Sequence, residues 1–86
     1  MTPLSQAIEA ASAYAASQVE TVHMVRARSL DFANRWFRVE GTRRAFRRTY
    51  MVDLIDSRVT EIMGVALAMS DDDLILIAQR SKGATA

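Results

Sequence analysis

The 86-residue sequence contains no cysteine, one proline, three glycines and one histidine. The absence of cysteine excludes disulfide scaffolds, thiolate zinc sites, iron–sulfur clusters and cysteine nucleophiles. The single histidine, His23, leaves too few ligands for a conventional histidine metal site. A hydrophobic content of 50% with so little proline and glycine excludes disordered and low-complexity chains. We expect residues 1–86 to form one domain, because the chain is too short for two.

Long apolar runs and catalytic motifs are also absent. The longest uncharged stretch, Ala10 to Val19, is too short to cross a membrane. The first residues combine neither a basic segment nor a continuous apolar segment, so we predict no secretory signal and expect a cytoplasmic protein. The sequence has no glycine-rich phosphate loop, nucleophile elbow, metalloprotease motif or paired catalytic carboxylates. We therefore predict no enzyme activity, no catalytic residues, no metal ligands and no cofactor.

The spacing of the apolar residues predicts an all-α fold. Thr2 and Pro3 are typical of a helix start, and apolar residues then follow at intervals of three and four up to residue 39. Gly41 is typical of a helix end. We expect helix 1 over about 3–39, helix 2 over about 43–69 and helix 3 over about 71–82, which begins with three aspartates after Ser70. The expected architecture is a hairpin of two long antiparallel helices plus a short C-terminal helix.

The length of helix 1 predicts either a break or self-association. A straight helix over 3–39 would be about 55 Å long, whereas a compact chain of this size is about 30 Å across. Helix 1 therefore either breaks near residue 29 or is covered by a second copy. We favour a homodimer or higher oligomer that completes a helical bundle through one stripe of helix 1. The stripe consists of Leu4, Ile8, Ala11, Ala15, Val22 and Val25.

The net charge of +1 conceals a strongly basic middle segment. Residues 26–48 contain eight arginines and two acids, whereas both flanking segments are mildly acidic. On helix 2, four of these arginines would share one side of the first two turns, where the helix dipole disfavours cations. This arrangement predicts a surface for an anionic partner, although a solvated corner with internal salt bridges is the alternative. The candidate binding residues are Arg35, Arg38, Arg43, Arg44, Arg47, Arg48, Trp36 and Phe37.

Two neighbouring aromatic residues leave a second alternative open. Trp36 and Phe37 lie between Arg35 and Arg38, a combination found in protein hot spots and in nucleic-acid stacking surfaces. Both would also fit the core beneath the turn between helices 1 and 2. We predict a small non-catalytic regulator, adaptor or inhibitor that binds an acidic protein surface through the arginines. The alternatives are a nucleic-acid-binding protein that uses the same arginines, and a structural or secretion-type assembly subunit.

Overall fold

The computed structural model describes residues 1–18, 20–80 and the backbone of 84–85. It is a mixed α/β fold in which an antiparallel sheet carries a helix on each face. The strands follow the order of the sequence, each pairing with the next. The elements are α1 (Pro3–Ser17), β1 (His23–Ser29), β2 (Trp36–Arg43), β3 (Phe46–Asp53), β4 (Arg58–Ile62), a 3₁₀ helix (Gly64–Ala68), α2 (Asp71–Arg80) and the short β5 (Ala84–Thr85).

Helix α1 begins as the sequence predicts. The Thr2 hydroxyl accepts a hydrogen bond from the Ser5 amide at 3.1 Å, and Pro3 occupies the first turn. Three alanines spaced four apart, Ala7, Ala11 and Ala15, form the buried face of the helix. Their small side chains let the helix lie close to the sheet.

The all-α prediction is wrong, because the middle of the chain forms strands. Strands β1 and β2 replace the second half of predicted helix 1, and strands β3 and β4 replace much of predicted helix 2, so neither the long helical hairpin nor the helical bundle exists. Both faces of the sheet are buried in its middle, so apolar residues are not confined to alternate positions. Trp36 packs on one face while Phe37 and Val39 pack on the other. Such uninterrupted apolar runs also satisfy helical spacing, because a strand buried on both faces has no polar side.

Gly41 is a strand residue and not the end of a helix. It lies within β2, where the chain that leads into β1 passes very close. A Cβ atom at Gly41 would lie 2.7 Å from Cγ1 of Val22 and 2.9 Å from the carbonyl oxygen of His23. The missing side chain therefore permits the close approach of β1 to β2.

The core is divided by the sheet into two clusters. On the first face, the alanines of α1 pack against buried residues of the strands, which are Phe37, Val39, Tyr50, Val52 and Val59. On the second face, Leu74 and Ala78 of α2 cover Trp36, Met51 and Ile62. The sheet is therefore the central layer of a three-layer structure.

The predicted C-terminal helix is present as α2. The Ser70 hydroxyl accepts a hydrogen bond from the Asp73 amide at 3.3 Å, as a capping residue does. The helix begins at Asp71, and the last two residues of its predicted range, 81–82, lie outside the described residues. Within the described part of the chain, no helix is long and apolar enough to cross a membrane.

Candidate functional site

The second face of the sheet is only half covered by α2, and the uncovered half forms a groove of about 420 Å³. We call it the arginine groove. Arginines from three successive strands, Arg26, Arg38 and Arg47, line it, and Leu67 of the 3₁₀ helix closes one side. The remaining lining residues are Val25, Glu40, Gly41, Thr42, Arg48 and Thr49.

The strand register explains why these residues meet. Arg26 of β1 lies opposite Glu40 of β2, and Thr42 of β2 lies opposite Arg47 of β3. Directly paired residues share a face of the sheet, and alternate residues along a strand do so as well. The alternation from Arg38 through Glu40 to Thr42 therefore directs these side chains to the same face.

Glu40 is the internal counter-charge of the groove. It accepts a hydrogen bond from Nε of Arg26 at 2.9 Å, and a second carboxylate oxygen lies 3.1 Å from Nε of Arg38. The hydrogen bond from Arg26, with the charges of Arg38 and Arg47, lowers the pKa of the Glu40 carboxyl below its ordinary value. The single negative charge of Glu40 therefore offsets only part of the positive charge of Arg26, Arg38 and Arg47.

Arg38 retains unused binding capacity. Its side chain is only 16% exposed, and its buried Nε finds no well-directed hydrogen-bond acceptor among the described residues. The contact with Glu40 is therefore an ion pair by distance and not a satisfied hydrogen bond. Glu40 therefore offsets the charge of Arg38 without a well-directed hydrogen bond, and a further carboxylate in the groove would add to this compensation.

Arg28 marks the border of the groove on the side of α2. Its two terminal nitrogens donate to the two carboxylate oxygens of Asp71 at 2.7 and 2.8 Å. This bidentate bond lowers the pKa of the Asp71 carboxyl and raises that of Arg28. Arg28 therefore fixes the start of α2 over the sheet.

Acid is expected to destabilise the protein through Glu40 and Asp71. Both carboxyls have a folded pKa below their unfolded value of about 4. Their contribution to stability is therefore complete above that value and is lost as the pH falls through the folded pKa. Unfolding by urea, measured between pH 7 and pH 2, should show a plateau and then a decline. The decline should be shallower in Glu40→Gln, and an unchanged slope in that variant would contradict this assignment.

The eight residues predicted as one binding surface do not lie together. Arg38, Arg47 and Arg48 line the groove, but the strand register turns the side chain of Arg48 to the first face. The helical arc predicted for Arg43, Arg44, Arg47 and Arg48 does not exist, because that segment is a hairpin of β2 and β3. Arg44 lies in its turn with a φ of 58°.

Two of the predicted arginines form ion pairs on the side of α1. Arg43 lies 3.0 Å from a Glu20 oxygen, which Arg48 also contacts at 3.3 Å. Arg48 reaches Glu61 as well, at 3.3 Å. These ion pairs correspond to the alternative of a solvated corner with internal salt bridges, for which Glu40, Asp53 and Asp56 were the expected acids.

Arg35 lies at the opposite end of the sheet and holds a buried carboxylate. Its Nε and Nη2 donate to Asp53 at 3.0 and 2.9 Å, and Asp53 is fully buried. Burial by itself would raise the pKa of the Asp53 carboxyl. The hydrogen bonds from Arg35 and from the amides of Asp56 and Ile55 outweigh burial, so the pKa lies below its ordinary value. Arg35 therefore has a structural role here.

The aromatic pair belongs to the core. Trp36 is 4% exposed and packs beneath α2, whereas Phe37 is 1% exposed and packs beneath α1. Because consecutive strand residues point to opposite faces, these two rings cannot form a common surface patch. The core interpretation of both residues therefore fits the structure, and neither ring is free to contact a partner.

Most residues of the stripe predicted for oligomerisation pack against the sheet of the same chain. Ala11 and Ala15 are buried against the sheet, and Ile8 and Val22 pack against the same cluster. The sheet thus covers the face of α1 that was predicted to need a second copy. Leu4 and Val25 remain exposed, but Val25 is separated from α1 and lies in β1 at the arginine groove.

Sequence reasoning missed several residues of the groove. Arg26, Glu40, Thr42 and Thr49 were not named as candidates, although Arg26 was counted in the basic segment. The alternation of polar side chains from Arg38 to Thr42 is the signal that could have found them, because a strand period places them on one face. Leu67 had no such signal, because only the tertiary fold brings it to the groove.

No metal centre is evident in the described ranges. His23 is exposed on β1, and no group of three histidine or acidic side chains there could hold a metal ion. Comparisons of the chain with protein-family models, with curated proteins and with solved structures found no match.

Proposed function

We propose that the protein is a non-catalytic binding module that holds an acidic segment of a protein partner in the arginine groove. The observation that carries this proposal is the convergence of Arg26, Arg38 and Arg47 on one groove in which Glu40 is the only lining carboxylate among the described residues. The groove keeps an excess of positive charge on a rigid sheet. An incoming carboxylate would add the negative charge that Glu40 alone does not supply.

The other lining residues suit an extended polypeptide. Thr42 lines the groove opposite Arg47, and its partly exposed hydroxyl can donate to a carboxylate or carbonyl oxygen. Val25 and Leu67 add apolar surface at the sides, and both are substantially exposed. Apolar contacts beside charge-assisted hydrogen bonds are typical of protein interfaces.

Two features favour a protein partner over a nucleic acid. None of the described lining residues carries an aromatic ring on which a base could stack. Glu40 also places a fixed negative charge where a phosphate backbone would pass. A peptide with separated carboxylates avoids Glu40 more easily than a continuous polyanion does.

The replacement Arg38→Glu tests the proposal. The probe is a short fluorescein-labelled peptide that contains two glutamates in a glycine–serine–leucine background, titrated by fluorescence anisotropy. Reversing the charge of Arg38 should weaken binding by about tenfold or more, because an ion pair becomes a repulsion. Circular dichroism should confirm that the variant keeps its fold.

Arg44→Glu is the matched control, because it changes the net charge equally at a hairpin turn outside the groove. Equal losses in the two variants would show non-specific electrostatic attraction and contradict the proposal. An oligothymidylate probe supplies a further check. Tighter binding of that probe, with a salt slope of about −0.7 per phosphate, would identify a nucleic-acid protein instead.

A further inference from the structure

A second groove, of about 250 Å³, continues from the arginine groove around the end of β4. We call it the apolar extension. It shares Arg47, Arg48 and Leu67 with the arginine groove, so one bound segment can contact both. Its own lining residues are Phe46, Glu61, Ile62, Met63 and Gly64.

The side chains of the apolar extension are unusually exposed. Phe46 and Met63 are each 70% exposed, and the adjacent Val65 is 92% exposed. Gly64 adopts a φ of 67°, and a Cβ atom there would meet nothing within 4 Å. A cluster of large exposed apolar residues beside a charged groove is typical of an interaction surface.

We propose that the acidic segment of the partner carries a large apolar side chain next to its carboxylates, and that this side chain occupies the apolar extension. This inference rests on the proposed function, because it describes the same bound segment. Charge complementarity at the arginines and the continuity of the two grooves support one occupant for both. The flexible side chain of Met63 can adapt its shape to a leucine or phenylalanine side chain of the partner.

The strand register sets the spacing of the bound segment. Arg47 lies opposite Thr42, four residues along β2 from Arg38, which corresponds to about 13 Å at 3.3 Å per residue. Phe46 lies opposite Arg43, one residue further on, so its side chain leaves the second face at the end of the hairpin. Because alternate residues of an extended peptide face the same way, the peptide should present two carboxylates about four residues apart, with the apolar residue about two positions after the second carboxylate.

Three labelled peptides with this spacing test the inference by fluorescence anisotropy. The first contains both glutamates and the leucine, the second replaces the leucine with serine, and the third replaces both glutamates with glutamine. Burial of the leucine should make the first peptide bind about tenfold more tightly than the second. The third should bind most weakly.

Met63→Ser should abolish the difference between the first two peptides and leave the serine peptide unaffected. The matched control is Ile55→Ser, which removes a 67%-exposed side chain in the turn at the opposite end of the sheet. Equal binding of the leucine and serine peptides to the wild-type protein would overturn this inference and leave the proposed function intact. Equal binding of the glutamine peptide, or binding of none of the three, would overturn the proposed function itself.

Discussion

Asp53→Ala is expected to destabilise the protein by about 3 kcal/mol. The substitution leaves the guanidinium group of Arg35 without its buried partner and removes the acceptor for the amides of Ile55 and Asp56. In a domain of this size, the melting temperature should fall by about 12–24 °C. Thermal unfolding followed by circular dichroism measures this change.

Asp56→Ala is the matched control, because the Asp56 carboxylate also contacts Arg35 but is 55% exposed. An exposed ion pair contributes little, so this variant should lose at most about 1 kcal/mol. Asp53→Asn should fall between the two, since it keeps an acceptor oxygen but loses the charge. Similar stabilities for Asp53→Ala and Asp56→Ala would contradict the structural role of the buried carboxylate.

Phe37→Ala is expected to cost about 3–5 kcal/mol, which can exceed the whole stability of so small a domain. Phe37 is 1% exposed between the sheet and the alanines of α1, and its removal leaves a cavity. The variant should be largely unfolded at room temperature. Chemical denaturation followed by circular dichroism measures the loss.

Two exposed phenylalanines serve as controls for that variant. Phe46 is 70% exposed and Phe32 is fully exposed, so alanine at either position should change the stability by about 0.5 kcal/mol or less. A Phe37→Ala protein that stays folded and loses only partner binding would instead support the prediction that Phe37 contacts a partner.

The ends of the sequence were predictable because their signals are local. The hydroxyl of Thr2 and the ring of Pro3 act on the first turn of α1, and Ser70 acts on the first turn of α2. Local signals of this kind do not depend on the rest of the fold. Both helices accordingly begin where the sequence indicates.

The hairpins were missed because their turn signals are sparse. Asn34, between β1 and β2, has a φ of 54°, which asparagine tolerates, but this single signal stood against long helical spacing. Arg44 in the turn between β2 and β3 and Ser57 in the turn between β3 and β4 adopt positive φ angles of 58° and 52°. Glycine or asparagine is preferred in such conformations. Gly41, which resembled a helix end, lies inside a strand. Helical spacing of the apolar residues therefore outweighed the few turn signals that the sequence carries.

The candidate site was predicted only in part for the same reason. Treating the arginine segment as a helix grouped Arg43, Arg44, Arg47 and Arg48, whereas the strand period separates Arg47 from Arg48 on opposite faces. The general expectation of an arginine surface survives as a proposal. The residues that form this surface differ from those predicted, because Arg26 lies on β1, a strand that the helical interpretation did not contain.

The sequential order of the strands also has a consequence for how the chain assembles. Every strand pairs with its predecessor, so the sheet can grow in the order in which the ribosome releases the chain. The alanine face of α1 emerges before the strands but acquires its apolar partners only once β2 and β3 have formed. Trp36 and Met51 stay uncovered for longer, until α2 closes the second cluster. On the nascent chain, Trp36 therefore stays exposed until the residues of α2 have left the ribosome.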